Sequence, residues 1–168
     1  MSISVHRASV VVFKRMLRSL DGVLGKAVEF VESRKIEPNA LLYARLAPDM
    51  FHLIRQVQSA TDQAKRVVGQ LAGVEPPKAE GDEKSFADLR ARIASTVAFL
   101  DSIQPEQLEG ADAKEITIPV GGQTLKLSGA DFLLGFGTPN VFFHITTAYA
   151  ILRHNGVPIG KRDFIGGR

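Results

Sequence analysis

Apolar residues recur at steps of three and four through the first part of the chain. Phe13, Met16, Leu17, Leu20, Leu24, Ala27, Val28 and Val31 share one face, and Lys14, Arg15, Arg18, Asp21, Lys26 and Glu29 share the opposite one, which is the pattern of an amphipathic helix. Arg34, Lys35 and Pro38 close it, because cations suit the negative end of a helix and proline cannot continue one. Asn39 to Arg45 reads as a short helical turn. A second stripe, Met50, Leu53, Val57, Ala60, Ala64, Val67 and Leu71, predicts a helix opening near Pro48, whose missing N–H has no intrahelical partner in a first turn, and ending at Gly73. A third stripe, Phe86, Leu89, Ile93, Thr96, Val97 and Leu100, predicts a helix over 85–103, opened by a capping box of Ser85 with Asp88. Between these two helices, 75–83 carries Pro76-Pro77, Gly81 and four acids, the composition of a linker.

The period then changes to two. Ile116-Thr-Ile118-Pro-Val120 and Gln123-Thr-Leu125-Lys-Leu127 alternate on either side of Gly121-Gly122, and a Gly-Gly pair supplies the positive φ values of a tight hairpin. Pro119 cannot donate to a ladder, so its strand is an edge. The ribbon covers about 115–127. Ser128 with Asp131 opens another helical stretch that Gly135, Gly137 and Pro139 break or kink. From Pro139 to His154 the chain is apolar nearly all round, which predicts a helix buried on most sides. Arg153-His154-Asn155-Gly156 stops it, and Phe164 and Ile165 pin the glycine-rich tail. No internal repeat is present. The economical fold is all-α: one domain over 1–168, an antiparallel four-helix bundle with a long crossover and a small β-hairpin inserted before the last helix.

Composition narrows the function. A chain of 168 residues suits one domain and buries roughly two-thirds of its unfolded surface without a staple. It has no cysteine, which excludes disulfides, thiolate metal sites and cysteine nucleophiles and fits a reducing cytoplasm. Arg7, Lys14, Arg15 and Arg18 interrupt the N-terminal apolar residues, so this segment does not read as a secretory signal. No apolar run approaches the ~18 residues of a membrane span. The net charge of +3 is spread along the chain and mixed with acids, unlike the clustered basic face of a nucleic-acid binder.

Bundles build sites from side chains on facing helices. On the second helix, stepping 100° per residue from Leu53 puts Asp49 about 40°, Gln56 about 60°, Gln63 about 80° and His52 about 100° to one side. On the last helix Asn140, His144 and Thr147 form a second polar line. If the seams face each other, His144 and His52 are two ligands of a divalent metal such as Zn, Ni, Mn or Fe, with Asp49 or Gln56 as third ligand and Asp49 as the candidate base; a zinc-like site needs three. The alternative is a metal-free pocket of Asp49, Gln56, Asn140, Thr147 and Tyr149 satisfied by hydrogen bonds. His6, at the start of the first helix, and His154, supporting a helix C-terminus, read as structural. The residue one turn after His144 is Ala148, not a second histidine, and this favours the metal-free reading. Phosphate-loop, dinucleotide and nucleophile-elbow motifs are absent.

Asp49-Met50-Phe51, Gln56-Val57-Gln58, and above all Pro139-Asn140-Val-Phe-Phe-His144 with Ala148-Tyr149-Ala-Ile-Leu-Arg-His154-Asn-Gly156 resemble a bacterial family of domains of unknown function grouped with the DinB/YfiT-like metalloenzymes. The resemblance covers nearly the whole chain. It implies a four-helix bundle, often dimeric, and in the wider superfamily a metal held by one histidine on the second helix and two on the last. Some relatives are thiol transferases or metal-dependent hydrolases. His144 matches the first histidine of the last-helix pair, Ala148 stands at the second, and the second-helix ligand falls on or near His52 or Gln56. Two functional readings follow: a non-catalytic bundle that binds a small molecule or dimerises, which Ala148 favours, and a metal-dependent transferase or hydrolase. A homodimer is expected on a second ground, since the last helix is more apolar than three neighbours would cover.

Overall fold

The computed structural model of the chain describes residues 3–166. A π-helical turn, Arg7–Val11, leads into α1 (Val12–Arg34), followed by α2 (Asn39–Leu42), α3 (Leu53–Ala72) and α4 (Phe86–Ser102). The antiparallel pair β1 (Glu115–Val120) and β2 (Gln123–Ser128) comes next, then α5 (Gly129–Asp131), a π-helical stretch Phe132–Gly137, α6 (Thr138–His154) and α7 (Lys161–Ile165). The fold is mainly helical with one small hairpin. Four helices are long, but short helices and π-helical turns take the helical count among the described residues beyond the four expected from the stripes. α1 packs on α4 and α6, and α3 packs on α4 and α6, so each long helix has two long neighbours. The stripes explain this: Phe13, Leu17, Leu20 and Leu24 of α1, Leu53, Val57 and Val67 of α3, Leu89 and Leu100 of α4, and Val141 and Ile151 of α6 are all essentially solvent-free.

Two expectations need correction. α3 does not open at Pro48. Residues 46–50 stay in a turn, where Arg45 Nη1 donates to the carbonyls of Pro48 and Met50 at 3.2 and 3.1 Å and Leu53 N donates to Ala44 O. His52 is the N-cap, extended at φ −74° and ψ 169°, and its Nδ1 accepts from Arg55 N at 3.4 Å. A proline suits a first turn, but here the arginine holds it outside the helix. Nor is α6 buried on most sides. Val141, Ile145, Thr147, Ala148, Ile151 and Leu152 are buried, whereas Phe143 is 54% exposed and Phe142, Tyr149 and Ala150 are half-buried.

The expected capping box and hairpin turn hold closely, whereas no break falls at Gly135, Gly137 or Pro139. Ser85 accepts from Asp88 N at 3.1 Å and Asp88 accepts from Ser85 N at 3.0 Å, the reciprocal bonds of a capping box. Gly121 and Gly122 take φ values of 58° and 81°, and the register pairs Ile116 with Leu127 and Ile118 with Leu125. Gly135 and Gly137 sit in or at the end of a π-helical stretch that runs into α6 without a break. A Cβ on Gly137 would lie 2.7 Å from Val67 Cγ2, so the glycine lets the start of α6 close on α3. With Gly137 beside Val67 and His144 beside Gln56, α3 and α6 run antiparallel, and this fixes the geometry of the candidate site.

The linker is strapped down. Gln58 Nε2 donates to Gly81 O and to Glu83 Oε2 at 3.1 and 2.7 Å. Arg92, from α4, donates to Thr61 Oγ1, Glu83 Oε1 and Asp62 Oδ1 at 2.8, 2.6 and 2.6 Å. A buried guanidinium needs such partners on every side.

Candidate functional site

Sequence periodicity puts Gln56 on the edge of the α3 stripe and His144 on a polar line of α6, and the antiparallel pairing of the two helices brings them together. His144 Nδ1 and Gln56 Oε1 are 2.7 Å apart. Gln56, 1% exposed, is itself anchored, since its Nε2 donates to Phe51 O at 3.1 Å. That bond decides the rest. The amide nitrogen is committed to a carbonyl, so the amide oxygen faces the imidazole and accepts; Nδ1 therefore carries the hydrogen, and in the neutral ring Nε2 is left as a bare acceptor. Burial, and after it the charge of Arg55, holds the His144 pKa below its ordinary 6.5, so the neutral form is the one present at pH 7.

His52 belongs to the same neighbourhood. Burial first, then Arg45 and Arg55, hold its pKa below 6.5 as well. Arg55 is the charged neighbour common to both imidazoles, and its guanidinium lies 5.6 Å from the Phe51 ring centroid. Aromatic rings edge the pair: Tyr43 lies 5.2 Å from the His52 ring and Phe143 5.3 Å, edge-on, from the His144 ring. Tyr43, Phe51 and Phe143 are each about half exposed.

The other predicted residues lie elsewhere or are already occupied. Asp49 is exposed in the turn before α3, so the helical step that aligned it with Gln56 does not apply. Asn140 Nδ2 donates to Phe136 O at 3.3 Å. Thr147 is buried and its Oγ1 donates to Phe143 O at 2.8 Å, a bond within its own helix. Tyr149 packs edge-on against Phe164 of the tail, with centroids 5.6 Å apart. Gln63 is half-buried, and its Oε1 has no partner among the described residues. His6 is half-buried beside the first π-helical turn and His154 is exposed at the end of α6. Sequence reasoning missed Arg55, because nothing in its position three residues after His52 marks it out from any other surface arginine.

The His, Cys, Asp and Glu donors do not by themselves make a three-ligand metal centre. Among the described residues no three His, Cys, Asp or Glu side chains gather closely enough to share an ion. The position one turn after His144 is the fully buried Ala148, and His52 Nδ1 serves as a helix cap. A structural zinc needs four protein donors and a catalytic one three. No helix among the described residues is long and apolar enough to cross a membrane.

The comparisons with known proteins agree with this picture of the fold. The family model "Domain of unknown function (DUF1993)" matches residues 5–165. The crystal structure of a DinB family member protein from Shewanella denitrificans is 42% identical in sequence, covers 97% of this chain and 92% of its own, and superposes with a TM-score of 0.92. No curated protein matches. Matched over nearly its whole length and sharing the backbone of a DinB family member, the chain belongs to the DUF1993 family and is a DinB-like domain.

Proposed function

We propose that this chain is a non-catalytic recognition domain, a DinB-like bundle of four long helices in which the hydrogen-bonded Gln56–His144 pair, rather than a metal centre, receives a small-molecule ligand. The observation that carries this reading is the 2.7 Å contact between His144 Nδ1 and Gln56 Oε1, because it leaves Nε2 as an oriented, neutral acceptor. A ligand hydroxyl, amide or amine would donate to it while its apolar part lies against the Phe51, Tyr43 and Phe143 rings. A few fixed polar groups set in aromatic surroundings are what small-molecule sites offer. In a screen of small donor-bearing aromatics followed by amide NMR, binders are expected to move the resonances of Gln56 and His144, and His144→Ala is expected to abolish those shifts. Binders whose affinity survives His144→Ala would end this reading.

The second reading is a metal-dependent transferase or hydrolase. One observation favours it: a ring nitrogen held by an amide oxygen, with the other nitrogen bare, is how ligating histidines are oriented. Elemental analysis of protein purified without a histidine tag separates the two. About one equivalent of Zn, Ni, Mn or Fe, lost in His144→Ala, would establish the metal reading and sink the first; our reading expects a trace that metal soaking does not raise.

The half-exposed aromatic rings also suit a second copy of this chain. Exposed apolar patches mark interaction sites, and we place a homodimer contact on the Phe143 face of α6.

A further inference from the structure

One cleft of the molecule shares no residue with the Gln56–His144 pair. It measures about 830 Å³ and lies between α1 and the tail. One wall is a single helical face, where Val11 of the first π-helical turn is followed by Lys14, Arg15, Arg18, Gly22 and Lys26 of α1; the other wall carries Arg162 and Asp163 of α7. Gly22 leaves this wall open, since a Cβ there would meet nothing within 4 Å.

The charge in the cleft is unbalanced. Lys14 and Arg18 share Asp101 of α4, and Lys26 is paired with Asp163 at 2.6 Å. Among the described residues Arg15 Nε donates to the Ile165 carbonyl at 3.1 Å, which neutralises nothing. Arg162 has no ion pair among the described residues. Among the described residues, five cations thus stand against two carboxylates.

We propose that this cleft binds a phosphorylated small molecule, its phosphates held by the Arg15, Arg18 and Arg162 guanidinium groups. Planar guanidinium forks match phosphate oxygens in pairs. The volume lies within the roughly 300–1,000 Å³ of small-molecule sites and far exceeds what a single inorganic phosphate would fill. The concave shape favours a small molecule over a duplex or a bilayer, which need an extended basic face. The ligand's organic part would rest on Val11, which is 47% exposed, and on the open surface at Gly22.

The test is calorimetry on the full chain, with ADP, pyrophosphate and inorganic phosphate as probes and amide NMR to locate them. Saturable binding of ADP is expected, weaker binding of inorganic phosphate, and resonance shifts at Ser19 and Gly22. Arg15→Gln and Arg162→Gln should each weaken ADP about tenfold, the loss of one or two hydrogen bonds to a charged group, whereas Arg153→Gln, an equal charge change on the exposed end of α6, should not. Arg18→Gln, at a side chain that is 64% exposed, should also weaken binding without lowering the Tm of the free protein, which keeps the proposal testable if another variant folds poorly. No saturable binding at millimolar ADP, equal weakening by Arg153→Gln, equal affinity for inorganic phosphate and ADP, or tighter binding to anionic vesicles or duplex DNA than to ADP would each overturn it.

Discussion

A neutral imidazole with one nitrogen tied down is defined by its neighbours, and those of His144 set its response to pH. Burial and Arg55 hold its folded pKa below 6.5, and burial, Arg45 and Arg55 do the same for His52. The unfolded chain therefore binds protons near pH 6.5 that the folded chain refuses. Stability from these two residues is fully present above pH 6.5 and is lost as the pH falls from there through the folded values. Denaturant titrations across this range should show that loss, and His144→Gln should make it shallower. Gln56→Ala should cost about 1–3 kcal/mol, since it leaves the His144 Nδ1–H and the Phe51 carbonyl without their partner, and it should move the His144 resonances in NMR. At this scale the sequence was informative about side and silent about reach. Periodicity placed Gln56 and His144 on polar lines of helices that could face each other. It could not show that Asp49 lies outside the helix, nor that Tyr149 turns to Phe164, because both depend on contacts distant in the chain.

Among the elements, legibility follows how local the determining interactions are. The long stripes, the Ser85–Asp88 box and the Gly121-Gly122 turn are written in a few adjacent residues and appear in the structure as the sequence predicts. The start of α3 depends on Arg45 reaching forward to the Pro48 and Met50 carbonyls, and a first-turn proline gives no sign of that. The 75–83 linker was legible by composition, but the means of fastening it was not. It is fixed by Arg92, whose side chain is 4% exposed, through Glu83, 11% exposed. Burial pushes the Glu83 pKa up, but the hydrogen bonds from Arg92 and Gln58 outweigh it and hold the carboxyl below 4.5. This pair is therefore a stabilising contact above pH 4.5, lost as acid protonates Glu83 through its folded value. Arg92→Met should destabilise by about 3 kcal/mol, because removing one partner strands the other in a poorly solvated place, and limited proteolysis should then cut within 75–83. Adding Glu83→Leu should restore much of the loss. If Arg92→Met alone unfolds no more easily than the parent, the strap contributes nothing to stability.

For the whole molecule, the question is what an all-round apolar α6 does in a fold that covers only part of it. α1 and α3 account for its buried face, which runs through Val141, Ile145, Ala148 and Leu152. Phe143 is left 54% exposed, and Phe51 and Tyr43 are each 51% exposed. Rings this large carry much of the energy of an interface when fully covered, and exposing them in a monomer gains nothing. A two-fold dimer across this face would bury the same patch on both copies, as isologous contacts require. Light scattering at micromolar concentration should therefore give the dimer mass. Phe143→Asp should reduce it to the monomer without loss of the folded amide spectrum, since the side chain is outside the core. The dimer contact and the ligand site draw on the same rings, so the two also constrain each other. If dimerisation covers them, binding of donor-bearing aromatics at the Gln56–His144 pair should strengthen as the parent chain is diluted toward the monomer. A parent chain that is monomeric at these concentrations would remove the dimer, and the exposed rings would then belong to the small-molecule site alone.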